Sequence, residues 1–177
     1  MIPFLTGDSI PAYWPIETYY PEIVKKCYLG ATPEQVRDQF PAILALTEPD
    51  DVVIILCGTN APYPPPHPSI NAIQQMGDMA RAAQLGVILC QITPRVYSVE
   101  DFNLALIAMA QTNFFNIIDL FNPGRLQSGA QNQAYFPDGT HPNGCYYDIM
   151  TGIIRSLLNA MLTSVLSAEQ ILLLTEA

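Results

Sequence analysis

The sequence predicts an α/β fold, a three-layer α/β/α sandwich around a five-stranded parallel sheet. Short apolar runs rich in β-branched residues alternate with longer segments whose apolar residues recur at helical spacing. The run at residues 52–57 is apolar throughout, which is typical of a parallel strand covered on both faces. Because crossovers between parallel strands are right-handed, this alternation is most simply satisfied by a sheet with helices on both sides.

Five segments have the composition of strands. They lie at residues 2–5, 23–29, 52–57, 87–92 and 116–120. Lys25 and Lys26 interrupt the second segment, and charges of this kind favour a strand at the edge of the sheet.

The helix after the second strand has the clearest start signal. Thr32 is in the N-cap position, Pro33 follows as the first helical residue, and Gln35 completes a capping box. Further helices are predicted from Ser69 to a stop at Gly86, from the acidic turn at 98–101 to about 112, and from about 145 to 162. Residues 10–22, rich in proline and aromatics, should form a loop or a broken helical turn, and residues 121–143 a long loop.

The composition excludes several classes of function. With seven Lys and Arg against sixteen Asp and Glu, the net charge is −9, which argues against nucleic acid and anionic membrane surfaces as partners. No apolar run approaches membrane-spanning length, so no membrane insertion is expected. The chain begins without a signal peptide, which favours a cytoplasmic location.

The 177 residues are most simply one domain, with a short tail. We expect the domain at residues 1–162 and a tail helix at 163–177, which packs on the domain or forms a homo-oligomer contact. The four cysteines lack metal-ligand spacing, and Cys57 and Cys90 lie in strand-like runs, which favours buried reduced thiols.

Polar residues that suit acyl chemistry follow the predicted strands. Ser9 comes after the first strand, Gly30 after the second and Asn60 after the third, while Asp138 and His141 precede the last helix. Because sites in parallel sheets form at the carboxyl ends of the strands, we expect these residues to meet at one edge. Each of these residues also has a purely structural interpretation. Ser9 could be a helix N-cap, Asn60 and Gly30 could be ordinary loop residues, and His141 could be a surface histidine.

The spacing of Asp138 and His141 is suited to a general base. Three residues apart in a loop, the carboxylate can fold back onto the ring Nδ1–H and leave Nε2 for a nucleophile. The only other histidine, His67, lies in the proline-rich stretch 63–68, which better suits a rigid loop wall. Asn60 and the backbone N–H of Gly30 are candidate donors to an oxyanion.

In this order, these motifs resemble those of the SGNH (GDSL-type) esterase and lipase family. The resemblance extends from Gly7 to the final helix and rests on four blocks: Gly7-Asp8-Ser9, Leu29-Gly30-Ala31-Thr32, Gly58-Thr59-Asn60, and Asp138-Gly139-Thr140-His141-Pro142-Asn143. It implies a flavodoxin-like three-layer fold and a serine esterase that needs no metal or cofactor. It also implies Ser9 as nucleophile, His141 as base, Asp138 as acid, and an oxyanion hole formed by Ser9, Gly30 and Asn60.

Two residues depart from the family pattern. Ala31 and Ala61 stand where the family often has aspartate, which bears on the support of the loops more than on the reacting groups. The stretch from Ser9 to Gly30 is too short for a first helix of the usual family length. The wall beside the nucleophile is therefore expected to be open or completed by another subunit.

Tyr13, Trp14 and Tyr63 adjoin the motifs and are candidate substrate-binding residues at an aromatic pocket rim. Such a rim suits a small-molecule ester with a short acyl or acetyl group. Two alternatives stay open: acyl transfer at the same site, and an inactive carbohydrate-binding or scaffold domain of the same fold. A metal phosphoesterase using Asp8, Asp138 and His141 is a weaker alternative because too few ligands converge.

Overall fold

The computed structural model describes residues 1–62, 67–95 and 99–175, with side chains up to residue 161. In this part of the chain the sheet has five strands, all parallel, in the order β2-β1-β3-β4-β5. The strands are β1 (Pro3–Gly7), β2 (Val24–Cys27), β3 (Val52–Leu56), β4 (Gly86–Cys90) and β5 (Asn116–Ile118). The predicted sheet is confirmed, and β2 lies at its edge as Lys25 and Lys26 indicated.

Helices cover both faces of the sheet. They are α1 (Ser9–Tyr13), α2 (Pro33–Gln39), α3 (Pro41–Leu44), α4 (Ser69–Ala82), α5 (Glu100–Thr112) and α6 (Gly144–Thr175). Short 3₁₀ turns at Ile16–Thr18 and Asn122–Gly124 complete the connections. The capping box of α2 forms as predicted, with the Thr32 and Gln35 side chains each bonded to the other's backbone N–H.

Side chains alternate between two apolar layers along each central strand, as the two-residue period of a strand requires. In β3, Val53 and Ile55 face the layer under α2, α3, α4 and α5, whereas Ile54 and Leu56 face the layer under α1 and α6. Cys57 and Cys90 are buried in these layers, and the four cysteines are free thiols. An apolar layer is buried on each face of the sheet, so the carboxyl ends of the strands are held in place by a packed core.

Two local expectations need correction. The helix begun at Ser69 ends at Ala82 rather than Gly86, because Gln84 turns the chain with a φ of 61° and Gly86 starts β4. Helix α6 does not stop near residue 162 but continues without a break to Thr175. The broken helical turn expected after Ser9 is confirmed, since α1 has only five residues and a 3₁₀ turn follows it.

The side chains of residues 162–177 lie outside the described part of the chain, so the packing of this tail stays a prediction. Among the described residues, no helix combines the length and the apolar character needed to cross a membrane.

Candidate active site

The turn after β1 is shaped by Gly7. A Cβ on this residue would lie 1.7 Å from the carbonyl oxygen of Leu56, so only glycine lets β1 pass this close to the end of β3. The following residue, Asp8, is the N-cap of α1 and accepts a hydrogen bond from the Ile10 N–H at 3.0 Å. Ser9 is therefore the first residue inside α1, and the N-cap alternative for Ser9 is wrong.

The Ser9 hydroxyl instead meets a histidine from the far end of the chain. Ser9 Oγ lies 3.0 Å from Nε2 of His141, across a separation of 132 residues. Nδ1 of the same ring lies 2.7 Å from Oδ2 of Asp138. With the ring proton on Nδ1, His141 donates to Asp138 and leaves the Nε2 lone pair for the serine proton. This geometry permits a nucleophile, a base and an orienting carboxylate to act together.

The loop that carries this base is organised by the same carboxylate. Asp138 Oδ1 accepts hydrogen bonds from the backbone N–H groups of Thr140 and His141, at 2.8 Å and 2.7 Å. The hydrogen bonds from the His141 side chain and backbone lower the pKa of Asp138 to about 2. Asp138 is thus ionised at every pH at which the protein is expected to work, and its charge can stabilise an imidazolium.

The two candidate donors after β2 and β3 also lie at this edge. Nδ2 of Asn60 donates to the carbonyl oxygen of Ala31 at 3.1 Å, which fixes the amide plane and leaves a second N–H free to bind a ligand. Gly30 has a φ of 70°, and a Cβ placed on it would meet no atom within 4 Å. The side of Gly30 on which a Cβ would stand is therefore open, and beside it lies a shallow cavity of about 450 Å³ lined by Tyr28, Gln35 and Gln39.

Asp8 joins the serine turn to the Asn60 loop, a role that the sequence analysis missed. Its buried Oδ2 accepts from the backbone N–H groups of Gly58 and Thr59, at 3.2 Å and 3.0 Å. Burial raises the pKa of Asp8, and the hydrogen bonds from Ile10, Thr59 and Gly58 oppose this rise. The middle residue of the Gly7-Asp8-Ser9 motif thus fixes the strand end from which Asn60 projects.

The three aromatic candidates have different outcomes. Tyr13 is 56% exposed, and its ring meets His141 edge-on with 5.4 Å between ring centroids, as a pocket rim requires. Trp14 is fully buried, and its Nε1 donates to Thr151 Oγ1 at 2.9 Å, so its assignment to the rim is wrong. Tyr63 lies outside the described residues. The ring of His67 lies edge-on to Phe102, which is buried in the layer under α2, α3, α4 and α5. This contact agrees with the prediction that His67 belongs to a rigid loop wall.

Ala31 and Ala61, the two departures from the family pattern, are buried in the apolar layer under α2 and α4. The carbonyl group of Ala31 orients the Asn60 amide, and the Ala61 N–H closes a turn onto the Gly58 carbonyl group at 3.0 Å. Backbone atoms supply both contacts, so the loop keeps its shape without the aspartates. No group of three or more metal-ligating side chains occurs among the described residues.

Comparison with known proteins shows the family and the fold of this chain. The model of the GDSL-like lipase/acylhydrolase family matches residues 6–149, from the end of β1 into α6. The chain belongs to this family. The family members are acylhydrolases, and the four blocks quoted above fall inside the matched residues. A search of the curated proteins gave no match.

Solved structures of GDSL-like proteins share the fold. A GDSL-like lipase from Bacteroides thetaiotaomicron is 22% identical, with a TM-score of 0.78. The superposition covers 92% of this chain and 88% of the lipase chain. An acylhydrolase candidate from Bacteroides fragilis is 24% identical, with a TM-score of 0.79 and coverage of 90% and 87%. An acetyl xylan esterase is 15% identical, with a TM-score of 0.72 and coverage of 88% and 99%. At these identities the likeness shows the three-layer fold alone.

Proposed function

We propose that this GDSL-family protein is a serine esterase that hydrolyses carboxylic esters of short acyl groups. The observation that carries the proposal is the hydrogen-bonded series from Ser9 Oγ through His141 to Asp138, with distances of 3.0 Å and 2.7 Å. An inactive binding domain has no need for this alignment, so the geometry favours an enzyme.

The proposed reaction has two halves. Ser9 Oγ attacks the ester carbonyl carbon while His141 Nε2 takes the hydroxyl proton, and Asp138 stabilises the imidazolium formed. As the tetrahedral intermediate collapses, His141 returns the proton to the leaving alcohol and an acyl-serine remains. Water then attacks the acyl group with His141 again as base, which releases the acid and restores Ser9.

The oxyanion of each tetrahedral intermediate is proposed to bind three donors. These are the backbone N–H groups of Ser9 and Gly30 and the free N–H of the Asn60 amide. Support comes from the Ala31 carbonyl group, which fixes the amide plane of Asn60 before substrate arrives. Donors that need no reorganisation in the transition state contribute most to the rate.

The short-acyl preference rests on the surroundings of the serine. Ser9 is only 8% exposed and the Tyr13 ring lies edge-on to His141, which favours a substrate with a small acyl group. An aromatic ring at the rim also suits an acetyl group carried on a sugar, whose apolar face can stack on it. Trp14 is buried and adds nothing to this rim.

Turnover of p-nitrophenyl esters from acetate to palmitate tests the proposed function. We expect kcat/KM to be highest for acetate or another short ester and to fall with chain length, because Ser9 is largely buried and a small acyl group reaches it most easily. Hydrolysis of none of the series would argue against the esterase, and a maximum at palmitate would overturn the acyl preference alone.

The pH dependence follows from the direction of proton transfer. His141 accepts a proton only when its ring is neutral, so kcat/KM should fall when the pH is low enough to protonate the ring. Asp138 cannot cause this fall, because its pKa is lowered to about 2 and its carboxylate stays ionised. A rate that does not fall as the solution is made acidic would contradict the role of His141.

A further inference from the structure

Arg95 lies just after β4 and belongs to none of the four sequence blocks. Its Nη1 donates to the carbonyl oxygen of Thr59, and its Nη2 donates to Oγ1 of Thr140 at 3.1 Å. Thr59 directly precedes Asn60, and Thr140 directly precedes His141. One planar guanidinium therefore connects the loop of the proposed oxyanion donor to the loop of the proposed base.

The Thr59 peptide is held from two directions. Its N–H donates to the buried carboxylate of Asp8 at 3.0 Å, and its carbonyl oxygen accepts from Arg95. Asp8 fixes this peptide relative to the Ser9 turn, whereas Arg95 fixes it relative to the His141 loop. Together the two contacts locate the residue from which the Asn60 side chain extends.

The His141 loop has a second attachment, which serves as a comparison. Nε2 of the buried Gln131 donates to the carbonyl oxygens of Pro94 and Gly139, at 2.7 Å and 3.3 Å. These contacts fasten the His141 loop to the end of β4, but neither touches the Asn60 loop. Of these two attachments, the one through Arg95 reaches both sides of the proposed reaction centre.

We propose that Arg95 is a positioning residue that fixes the Asn60 amide relative to the His141 ring. The inference rests on the proposed esterase function. Attack on the carbonyl requires the oxyanion donor and the base to be in place together, and a shift of about 1 Å at such a site can lower the rate about 100-fold. The rigid guanidinium fork suits two acceptors in fixed directions, which a lysine ammonium cannot reproduce.

Steady-state hydrolysis of p-nitrophenyl acetate by the full chain tests this role. We expect Arg95→Ala to lower kcat roughly 10- to 100-fold with little change in KM, because the donor and base lose their relative placement but the rim stays intact. Arg95→Lys should stay close to the alanine variant, since an ammonium lacks the planar fork that holds two acceptors in fixed directions. Thr140→Val removes the Thr140 contact, keeps the contact with Thr59, and should have a smaller effect in the same direction.

A double-mutant cycle separates positioning from a general loss of stability. If Arg95 acts through Asn60, Arg95→Ala should cost less in an Asn60→Ala background than in the wild type. Arg81→Ala is the matched control, because Arg81 also donates to a backbone carbonyl, that of Asn113, and stacks on Phe115 away from the site. Its melting temperature should fall while its kcat is kept.

Four results would overturn the inference. These are full activity in Arg95→Ala; wild-type kcat in Arg95→Lys, which would indicate a charge effect; effects of Arg95→Ala and Asn60→Ala that simply add; and an equal loss of kcat in Arg81→Ala. The proposed function is judged by Ser9→Ala instead. Loss of activity in Ser9→Ala together with full activity in Arg95→Ala would reject the positioning role of Arg95 but not the proposed esterase function.

Discussion

Replacement of Ser9 by alanine should reduce kcat for p-nitrophenyl acetate on the order of 10⁶-fold, the size of effect found when a catalytic serine is removed. Without Oγ no acyl-serine can form, and His141 has no hydroxyl to deprotonate. The side chain shrinks by one atom at a buried position next to Asp8, so the fold should be kept. The measurement is initial-rate hydrolysis combined with the thermal unfolding of both proteins.

Covalent labelling adds an independent readout to the same variant. A fluorophosphonate probe should react with the wild-type protein at Ser9 and leave Ser9→Ala unlabelled. Ser156→Ala is the matched control, because Ser156 is an exposed helix serine whose hydroxyl donates to the Gly152 carbonyl group. Turnover and labelling that persist in Ser9→Ala would show that another residue is the nucleophile.

Replacement of Asn60 by alanine should lower kcat about 10²- to 10³-fold and change KM little. The oxyanion exists only in the transition state and the tetrahedral intermediate, so loss of one donor leaves ground-state binding intact. The fixed amide plane gives the reason for a large effect, since the Ala31 carbonyl group pre-orients this donor. The measurement is kcat and KM on the same ester.

An exposed asparagine on α4 provides the control for this change. Asn71→Ala should keep wild-type kcat, because Asn71 lies on the surface of the first turn of that helix. A rise in KM at constant kcat in Asn60→Ala would contradict the oxyanion role, because it would place Asn60 in ground-state binding instead.

The three residues of the Gly7-Asp8-Ser9 motif have separate physical roles. Gly7 allows the close approach to Leu56, Asp8 caps α1 and holds the Thr59 peptide, and Ser9 supplies the hydroxyl. The buried carboxylate of Asp8 is costly to desolvate, and its three backbone donors offset that cost. The motif thus supplies the reactive hydroxyl and also, through Asp8, the hydrogen bonds that connect the Ser9 turn to the Asn60 loop.

Much of this arrangement could be predicted from local sequence. The capping box of α2, the apolar run of β3 and the edge position of β2 depend on residues that are neighbours in the chain. A parallel sheet then brings the carboxyl ends of its strands to one edge, so Ser9 and Asn60 follow from topology. Asp138 and His141 were predictable as a pair because they are only three positions apart.

What the sequence could not show depends on contacts between distant residues. Tyr13 and Trp14 are adjacent aromatics, yet one faces His141 and the other is buried against Thr151, 137 positions away. The charge of Arg95 in the short segment that follows β4 was a signal, but its acceptors lie 36 and 45 positions away in the chain. Propensity and spacing act over a few residues. The orientation of a side chain toward such partners is fixed only when the layers pack, and only the tertiary structure decided it.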